Sequence, residues 1–266
     1  MASAHKPRTT GPARAEKGDA AWFGFRRVAP GEKADLVQGV FASVAARYDL
    51  MNDLMSGGLH RRWKDRLVTM MRPKPGDVIL DVAGGTGDIA RRCYKRTRGQ
   101  ARILVCDRSA DMIAIGKKRV MDAGIAGRGH GIEWIEGDAE KLPLQARSVD
   151  IYCISFGLRN VTHIDKALEE ASRVLRPGGR FFCLEFSPGV QRHIRPIYDR
   201  YCQGVLPWIG RVIAEDQASY QYLAESIQTF PDQLSLKRRI EAAGLERAEW
   251  TNLTGGIAVI HAAWKL

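Results

Sequence analysis

Val78-Ile79-Leu80-Asp81-Val82-Ala83-Gly84-Gly85-Thr86-Gly87-Asp88 is the stretch on which the fold of this chain turns. Its first five residues are mostly branched and apolar and read as a short buried strand. A glycine-rich turn follows, and a helical pattern opens at Asp88. Glycine suits such a turn because a Cβ would hold the backbone away from a bound ligand. Gly85-Thr86-Gly87-Asp88-Ile89-Ala90 also satisfies the G-x-G-x-x-A fingerprint of dinucleotide sites. Asp107 stands at the end of the next strand, 20 residues after Gly87. A carboxylate there can accept both ribose hydroxyl protons, each charge-assisted bond being worth roughly 1.5–3 kcal/mol. These features alone leave a nicotinamide dinucleotide and S-adenosylmethionine equally open.

Downstream of the turn, short β-branched runs alternate with helical patterns, which is how βαβ units and a parallel sheet read in sequence. Strands are expected at Val78–Val82, Ile103–Asp107, Ile132–Glu136, Ile151–Ser155, Arg180–Phe186, Glu246–Asn252 and Ile257–Trp264. Helices are expected at Asp88–Arg98, Ala110–Ala123 and Ile164–Arg176, the last stopped by Pro177-Gly178-Gly179. Upstream, Val37, Val40, Phe41 and Val44 fall on one helical face, and Leu59–Met71 forms a second helix ended by Arg72-Pro73-Lys74-Pro75-Gly76. Residues 1–21 carry almost nothing to bury and read as a disordered tail. A single domain is expected over 22–266, with the Tyr-rich, non-alternating stretch 187–230 as a helical lid.

Three further features separate the two cofactors. Asp81 sits inside the first strand, where a dinucleotide site would want an apolar residue but the ammonium of a methionine moiety would welcome a carboxylate. Glu136-Gly137-Asp138-Ala139-Glu140-Lys141-Leu142-Pro143 follows the third strand, and Arg173-Val174-Leu175-Arg176-Pro177-Gly178-Gly179-Arg180 precedes the fifth. Both resemble recurring elements of class I methyltransferases, in which an acid after the third strand receives the adenine amino group. The resemblance implies an α/β fold of seven strands, mostly parallel with the last antiparallel, and S-adenosyl-L-methionine as cofactor.

Narrower signatures lie outside this core. Phe23-Gly24-Phe25, the segment Val40 to Asp53, Ile154-Ser155-Phe156-Gly157-Leu158-Arg159-Asn160-Val161-Thr162, Leu184-Glu185-Phe186-Ser187, Ser219 to Ile227, and Asn252-Leu253-Thr254-Gly255-Gly256 resemble the ubiquinone/menaquinone biosynthesis C-methyltransferase family. The likeness runs from about Phe23 to Leu266. It implies C-methylation of a polyprenylated quinol ring, with 2-polyprenyl-6-methoxy-1,4-benzoquinol, demethylmenaquinol or both as acceptor. Carried over residue by residue, it puts Asp81, Gly84, Gly85, Thr86 and Gly87 at the methionine end of the cofactor, Asp107 at the ribose, Asp138 and Ala139 at the adenine, and Ser155 at the end of the fourth strand. Arg159, a poor base because a guanidinium already carries its proton, is expected to stabilise the phenolate-like acceptor, and Asn160 to align its hydroxyl. Tyr48, Tyr201 and Tyr220 are expected around the ring, with Tyr222 a further stacking candidate, and Tyr201, Asp216 and Glu225 are candidate proton acceptors. O-methylation of another small phenol is the alternative reading.

The bulk numbers restrict partners. No apolar stretch approaches the roughly 18 residues of a spanning helix. The five cysteines are scattered singly and the six histidines form no ligand set, so neither a disulfide framework nor a metal site is expected. A cytoplasmic protein is expected, with peripheral contact at the inner face of a membrane. The net charge of +11 draws +4 from the first 33 residues, seven Lys/Arg against three Asp/Glu, and a second basic cluster runs from His60 to Arg66. Such charge suits anionic lipid or nucleic-acid phosphate. A nucleic-acid methyltransferase is disfavoured, because Ser155-Phe156-Gly157-Leu158 replaces the Asn/Asp-Pro-Pro-aromatic run used on base amino groups. A homodimer or a quinone-biosynthesis complex is the expected assembly.

Overall fold

The computed structural model describes residues 20–44, 53, 56–125, 131–190, 200 and 217–266, without the side chains of 41–44, 217 and 220. Most of the expected tail and the greater part of the expected lid, with Tyr201 and Asp216, lie outside the described residues, as does Tyr48. Ala21–Phe23 (β1) and Arg26–Val28 (β2) form an antiparallel hairpin before Pro30–Val44 (α1) and Leu59–Met71 (α2). The hairpin is absent from the sequence reading, which ends the tail at Ala21. Three-residue strands are too short to show alternation, and Ala21 is in fact buried and paired with Val28.

The remaining elements alternate as expected. They are Val78–Val82 (β3), Asp88–Thr97 (α3), Arg102–Asp107 (β4), Ala110–Asp122 (α4), Ile132–Glu136 (β5), Val149–Ser155 (β6), Ile164–Val174 (α5), Leu175–Phe186 (β7), Gln217–Thr229 (α6), Gln233–Ala242 (α7), Glu246–Leu253 (β8) and Ala258–Trp264 (β9). The sheet order is β5-β4-β3-β6-β7-β9-β8. β3, β4, β5, β6 and β7 pair in parallel, and β9 runs antiparallel to both β7 and β8. This is the doubly wound class I methyltransferase sheet with its last strand reversed.

Alternation along β3 explains its two-sided burial. Ile79 packs into one core with Trp63, Leu67 and Met71 of α2 and Ile89 and Cys93 of α3. Leu80 and Val82 face the other core, with Leu168 and Ala171 of α5 and Leu236 and Ile240 of α7. Trp63, the aromatic of the second basic cluster, is therefore a core residue whose Nε1–H donates to Thr254 Oγ1 at 2.9 Å. Its neighbour Lys64 is buried too, bonded to Asp88 at 2.9 Å. Part of that cluster is structure rather than a free basic surface.

Several boundaries shift by a residue or two, and the start of β7 shifts by five. α5 ends at Val174, not Arg176, and Pro177-Gly178-Gly179 lies within β7. A residue before proline is pushed out of helical geometry, so the chain is already extended when it reaches Pro177. The segment bulges from the sheet: Leu175 pairs with Val149 and Arg180 with Ile151, two residues of β6 against five of β7.

The strand order reverses between β3 and β6, each the start of one half of the sheet. At such a switch point the loops leaving adjacent strand ends diverge and open a crevice. That crevice is where the glycine turn arrives.

Candidate active site

A cavity of about 820 Å3, counting its open mouth, occupies the crevice. One wall comes from the ends of β3, β4 and β5: Gly85, Asp107, Arg108, Ser109, Met112, Gly137, Asp138 and Ala139. The other follows β6 and holds Phe156, Gly157, Asn160, Val161 and Thr162, with Ala83 between the walls. Ala34, Val37 and Gln38 of α1 close a third side.

The first wall is fixed by backbone geometry. Asp107 accepts the Gly85 N–H at 2.8 Å on one carboxylate oxygen and the Ser109 N–H at 2.9 Å on the other. Burial raises its pKa, and these donors pull it back. The carboxylate thus ties β4 to the glycine turn while bordering the cavity. Gly85 and Gly87 both hold positive φ, 55° and 73°, a region costly for residues with a Cβ. A Cβ on Gly84 would fall 2.7 Å from Val105 Cγ1, and one on Gly87 2.7 Å from the Trp134 ring. The turn is a bare-backbone cradle because no side chain fits inside it. Asp138 accepts the Glu140 N–H at 2.9 Å and meets Arg108 at 3.3 Å, while Ala139 contributes a buried apolar contact.

Not every expected cofactor residue reaches the cavity. Gly84, Gly87 and Thr86 shape the turn from behind, and the Thr86 hydroxyl accepts from Arg119 at 3.0 Å. Asp81 lies beneath Gly84, 1% exposed. Its Oδ1 accepts a 3.4 Å bond from the Cys153 thiol, whereas Oδ2 has no partner among the described residues. Burial pushes its pKa up to about 7, opposed by the Cys153 thiol, the Ala90 N–H and the Lys64 charge. Ser155 likewise has a buried hydroxyl with no described partner. An orphaned carboxylate oxygen, an orphaned hydroxyl and a cradle that excludes Cβ atoms together suit a cationic nucleoside with several polar groups to satisfy.

The second wall departs more from expectation. Phe156 is held at φ 57°, and its carbonyl accepts from the Arg159 guanidinium at 2.7 Å. That guanidinium does not face the cavity: it is buried against Glu185, with Nη1 2.9 and 3.1 Å from the two carboxylate oxygens, and sits 5.6 Å above the Phe186 ring. Glu185 is fully enclosed; burial raises its pKa and Arg159 opposes the rise. The physical reason is the short 3₁₀ turn at Leu158–Asn160, which sends residue 159 back toward β7 and residue 160 outward. Asn160 does line the cavity, and its Oδ1 accepts the Tyr222 hydroxyl at 3.0 Å. Burial pushes the Tyr222 pKa up to about 12, so it remains a donor at neutral pH.

Of the tyrosines expected at the ring, Tyr48 and Tyr201 lie outside the described residues and the Tyr220 side chain is not described. Glu225 is occupied by the Phe25 N–H at 3.1 Å and by Gln221 at 2.8 Å. The sequence reading missed Glu185, although the clue that singled out Asp81, an acid inside an apolar strand, applies equally to Leu184-Glu185-Phe186. It also missed α1 as a cavity wall, for which no local sequence signal exists. Among the described residues no cluster of His, Cys, Asp or Glu could hold a metal ion.

Comparison with known proteins agrees with this geometry. The chain is 52% identical over 244 residues to a protein of Paracoccus denitrificans named ubiquinone/menaquinone biosynthesis C-methyltransferase UbiE, covering 92% of this chain and 96% of that one. It is 49% identical to the mitochondrial 2-methoxy-6-polyprenyl-1,4-benzoquinol methylase of Oryza sativa subsp. japonica, covering 92% and 88%. Among solved structures, a SAM-dependent methyltransferase of Thermotoga maritima superposes with a TM-score of 0.60 at 18% identity, covering 86% of this chain and all of that one, a likeness of fold alone. The family model for the ubiE/COQ5 methyltransferases matches residues 29–265, which holds the whole seven-stranded sheet and both cavity walls, and the chain belongs to that family.

Proposed function

We propose that this chain transfers a methyl group from S-adenosylmethionine to a ring carbon of a polyprenylated quinol in ubiquinone or menaquinone biosynthesis. The observation that carries the reading is one continuous cavity at the β3/β6 switch point, which puts the Gly85–Asp107–Asp138 wall within the same space as Asn160. The likeness to relatives named for that reaction supports it.

In this reading Asp107 holds the ribose, Asp138 and the backbone at Ala139 the adenine edge, and the glycine cradle the methionine portion. Asp81 Oδ2 and the Ser155 hydroxyl face that portion from beneath. The cofactor, when bound, supplies an electrophilic methyl on a sulfonium. Asn160 orients the acceptor hydroxyl, its amide direction set by Tyr222. Arg159 acts at one remove: by gripping the Phe156 carbonyl it fixes the turn that presents Asn160, while its own charge is neutralised by Glu185. Holding acceptor and donor in line within a water-poor space is worth roughly 7–11 kcal/mol of barrier. The protein works as a homodimer or within a quinone-biosynthesis complex, at a membrane surface.

Incubating the protein with methyl-labelled S-adenosylmethionine and each demethylated quinol tests this. Label on a ring carbon is expected. No transfer, or label on oxygen, would overturn the reading.

A further inference from the structure

The β1–β2 hairpin carries an exposed surface that the reaction does not use. Trp22 is 49% exposed and Phe25 54% exposed, two of the few large apolar side chains so open to solvent among the described residues. Arg26 and Arg27 are exposed beside them. Trp22 pairs across the hairpin with Arg27, so both lie on one face, and the Arg27 guanidinium sits 5.6 Å over the Trp22 ring. Arg26 lies 5.3 Å over Phe23. From Ala20 to Gly31 the sequence holds no carboxylate. Among the described residues the carboxylate bonded to the hairpin is Glu225, which accepts the Phe25 N–H.

The same hairpin packs behind the cavity wall. The Phe23 ring stacks on Tyr222 with centroids 4.2 Å apart, and Tyr222 bonds Asn160 in the second wall. Two residues after β2 the chain enters α1, whose Ala34 and Val37 line the same cavity. One side of this short element therefore packs on a residue that supports the site, and the other shows aromatics and arginines to solvent.

We propose that the β1–β2 hairpin docks this protein on an anionic lipid surface, with Trp22 and Phe25 at the level of the headgroups and Arg26 and Arg27 on the lipid phosphates. Charge complementarity favours that occupant: amphipathic rings settle at the headgroup boundary, and clustered arginine is drawn to anionic leaflets. Nucleic acid offers the same charge but no apolar layer for Phe25 at the turn. The inference rests on the proposed reaction for one point: a polyprenyl tail lies in the bilayer, and a hairpin docked there brings the cavity to where that acceptor resides.

The test floats the full chain with vesicles of phosphatidylcholine alone and with a phosphatidylglycerol fraction, and separately offers duplex DNA. Wild-type protein is expected on the anionic vesicles, with binding that weakens as salt rises. The variant carrying Trp22→Ala, Phe25→Ala, Arg26→Gln and Arg27→Gln is expected to bind those vesicles at least about tenfold more weakly. Its melting temperature and its turnover of a short-chain quinol in solution should match wild type, while methylation of a long-chain quinol in vesicles should fall. Equal vesicle binding by variant and wild type, or retention on DNA with none on lipid, would overturn the docking proposal. Failure of wild type to methylate the short-chain quinol would instead overturn the reaction, and the vesicle result would still decide the docking.

Discussion

Asp81 in β3 and Glu185 in β7 are both fully enclosed carboxylates in one sheet, separated only by β6, yet their surroundings are opposite. Glu185 meets a guanidinium and accepts the Arg159 and Phe186 N–H groups besides. Asp81 meets the Cys153 thiol, with the Ala90 N–H and the Lys64 charge acting more weakly, and among the described residues its Oδ2 makes no hydrogen bond. Burying a charge costs several kcal/mol unless a partner offsets it. The fold supplies that partner to Glu185 and withholds it from Asp81. The difference separates two uses of a buried acid: one holds a wall in place, and the other, on the proposed reading, keeps a place for a cation that arrives with the ligand.

Removing one side of each should therefore give unlike results. Glu185→Ala leaves the Arg159 charge buried and alone, and is expected to cost about 3–5 kcal/mol of stability, the usual penalty for breaking an enclosed pair. Chemical denaturation reads it directly. Asp81→Asn removes a charge that burial already opposes, so its denaturation midpoint at neutral pH should hold or rise while cofactor affinity falls. If the Asp81 variant loses as much stability as the Glu185 variant, the contrast is gone.

The contrast also has a pH signature. In the unfolded chain Asp81 releases its proton near pH 4. In the folded protein burial holds the proton until about pH 7. Between those values the folded state binds more protons, so Asp81 makes stability fall as pH rises, with up to about 1.4 kcal/mol for each unit separating the two pKa values. Above pH 7 its contribution levels off. His261 slopes the other way over part of that window: burial lowers its pKa to about 4, so the unfolded chain binds its proton first as pH falls. Comparing melting profiles of wild type and Asp81→Asn from pH 4 to 8 isolates the first slope. An unchanged profile would mean that Asp81 is charged in the apoprotein, against the burial argument.

How much of this was legible beforehand follows the range of each interaction. The strands and helices around Gly84 to Asp138 rest on local periodicity and turn chemistry, and most fall within a residue or two of their expected ends. Asp81 and Asp107 were legible because a charge at a fixed place on a strand has few local explanations. Arg159 was not. Whether it faces a cavity or folds back on β7 depends on Glu185, 26 residues away, and on the Phe156 backbone, neither of which leaves a trace in neighbouring letters. The hairpin escaped for a related reason: its stability comes from stacking on Tyr222 and from Glu225, some 200 residues downstream, not from its own short strands.

The cofactor wall can be probed at Asp107. Asp107→Asn keeps one acceptor for a backbone N–H but loses the charge, and titration calorimetry with S-adenosylhomocysteine should show affinity lowered about 10–100-fold, as charge-assisted bonds of roughly 1.5–3 kcal/mol imply. Turnover at saturating cofactor should change less. The reverse pattern, intact affinity with lost turnover, would move Asp107 out of the binding wall.

The acceptor wall calls for a subtler change. Tyr222→Phe keeps the ring that stacks on Phe23 and deletes only the hydroxyl that bonds Asn160 Oδ1. A hydrogen bond of this kind contributes about 0.5–1.5 kcal/mol, so the turnover rate should fall roughly 2- to 10-fold. Because Tyr222 touches the second wall and not the glycine cradle, S-adenosylhomocysteine should bind as before. Asn160→Ala should lower turnover further, and in its presence Tyr222→Phe should add little, since the hydroxyl then has no amide to hold. Full additivity of the two substitutions would show that Tyr222 reaches the reaction by some route other than Asn160.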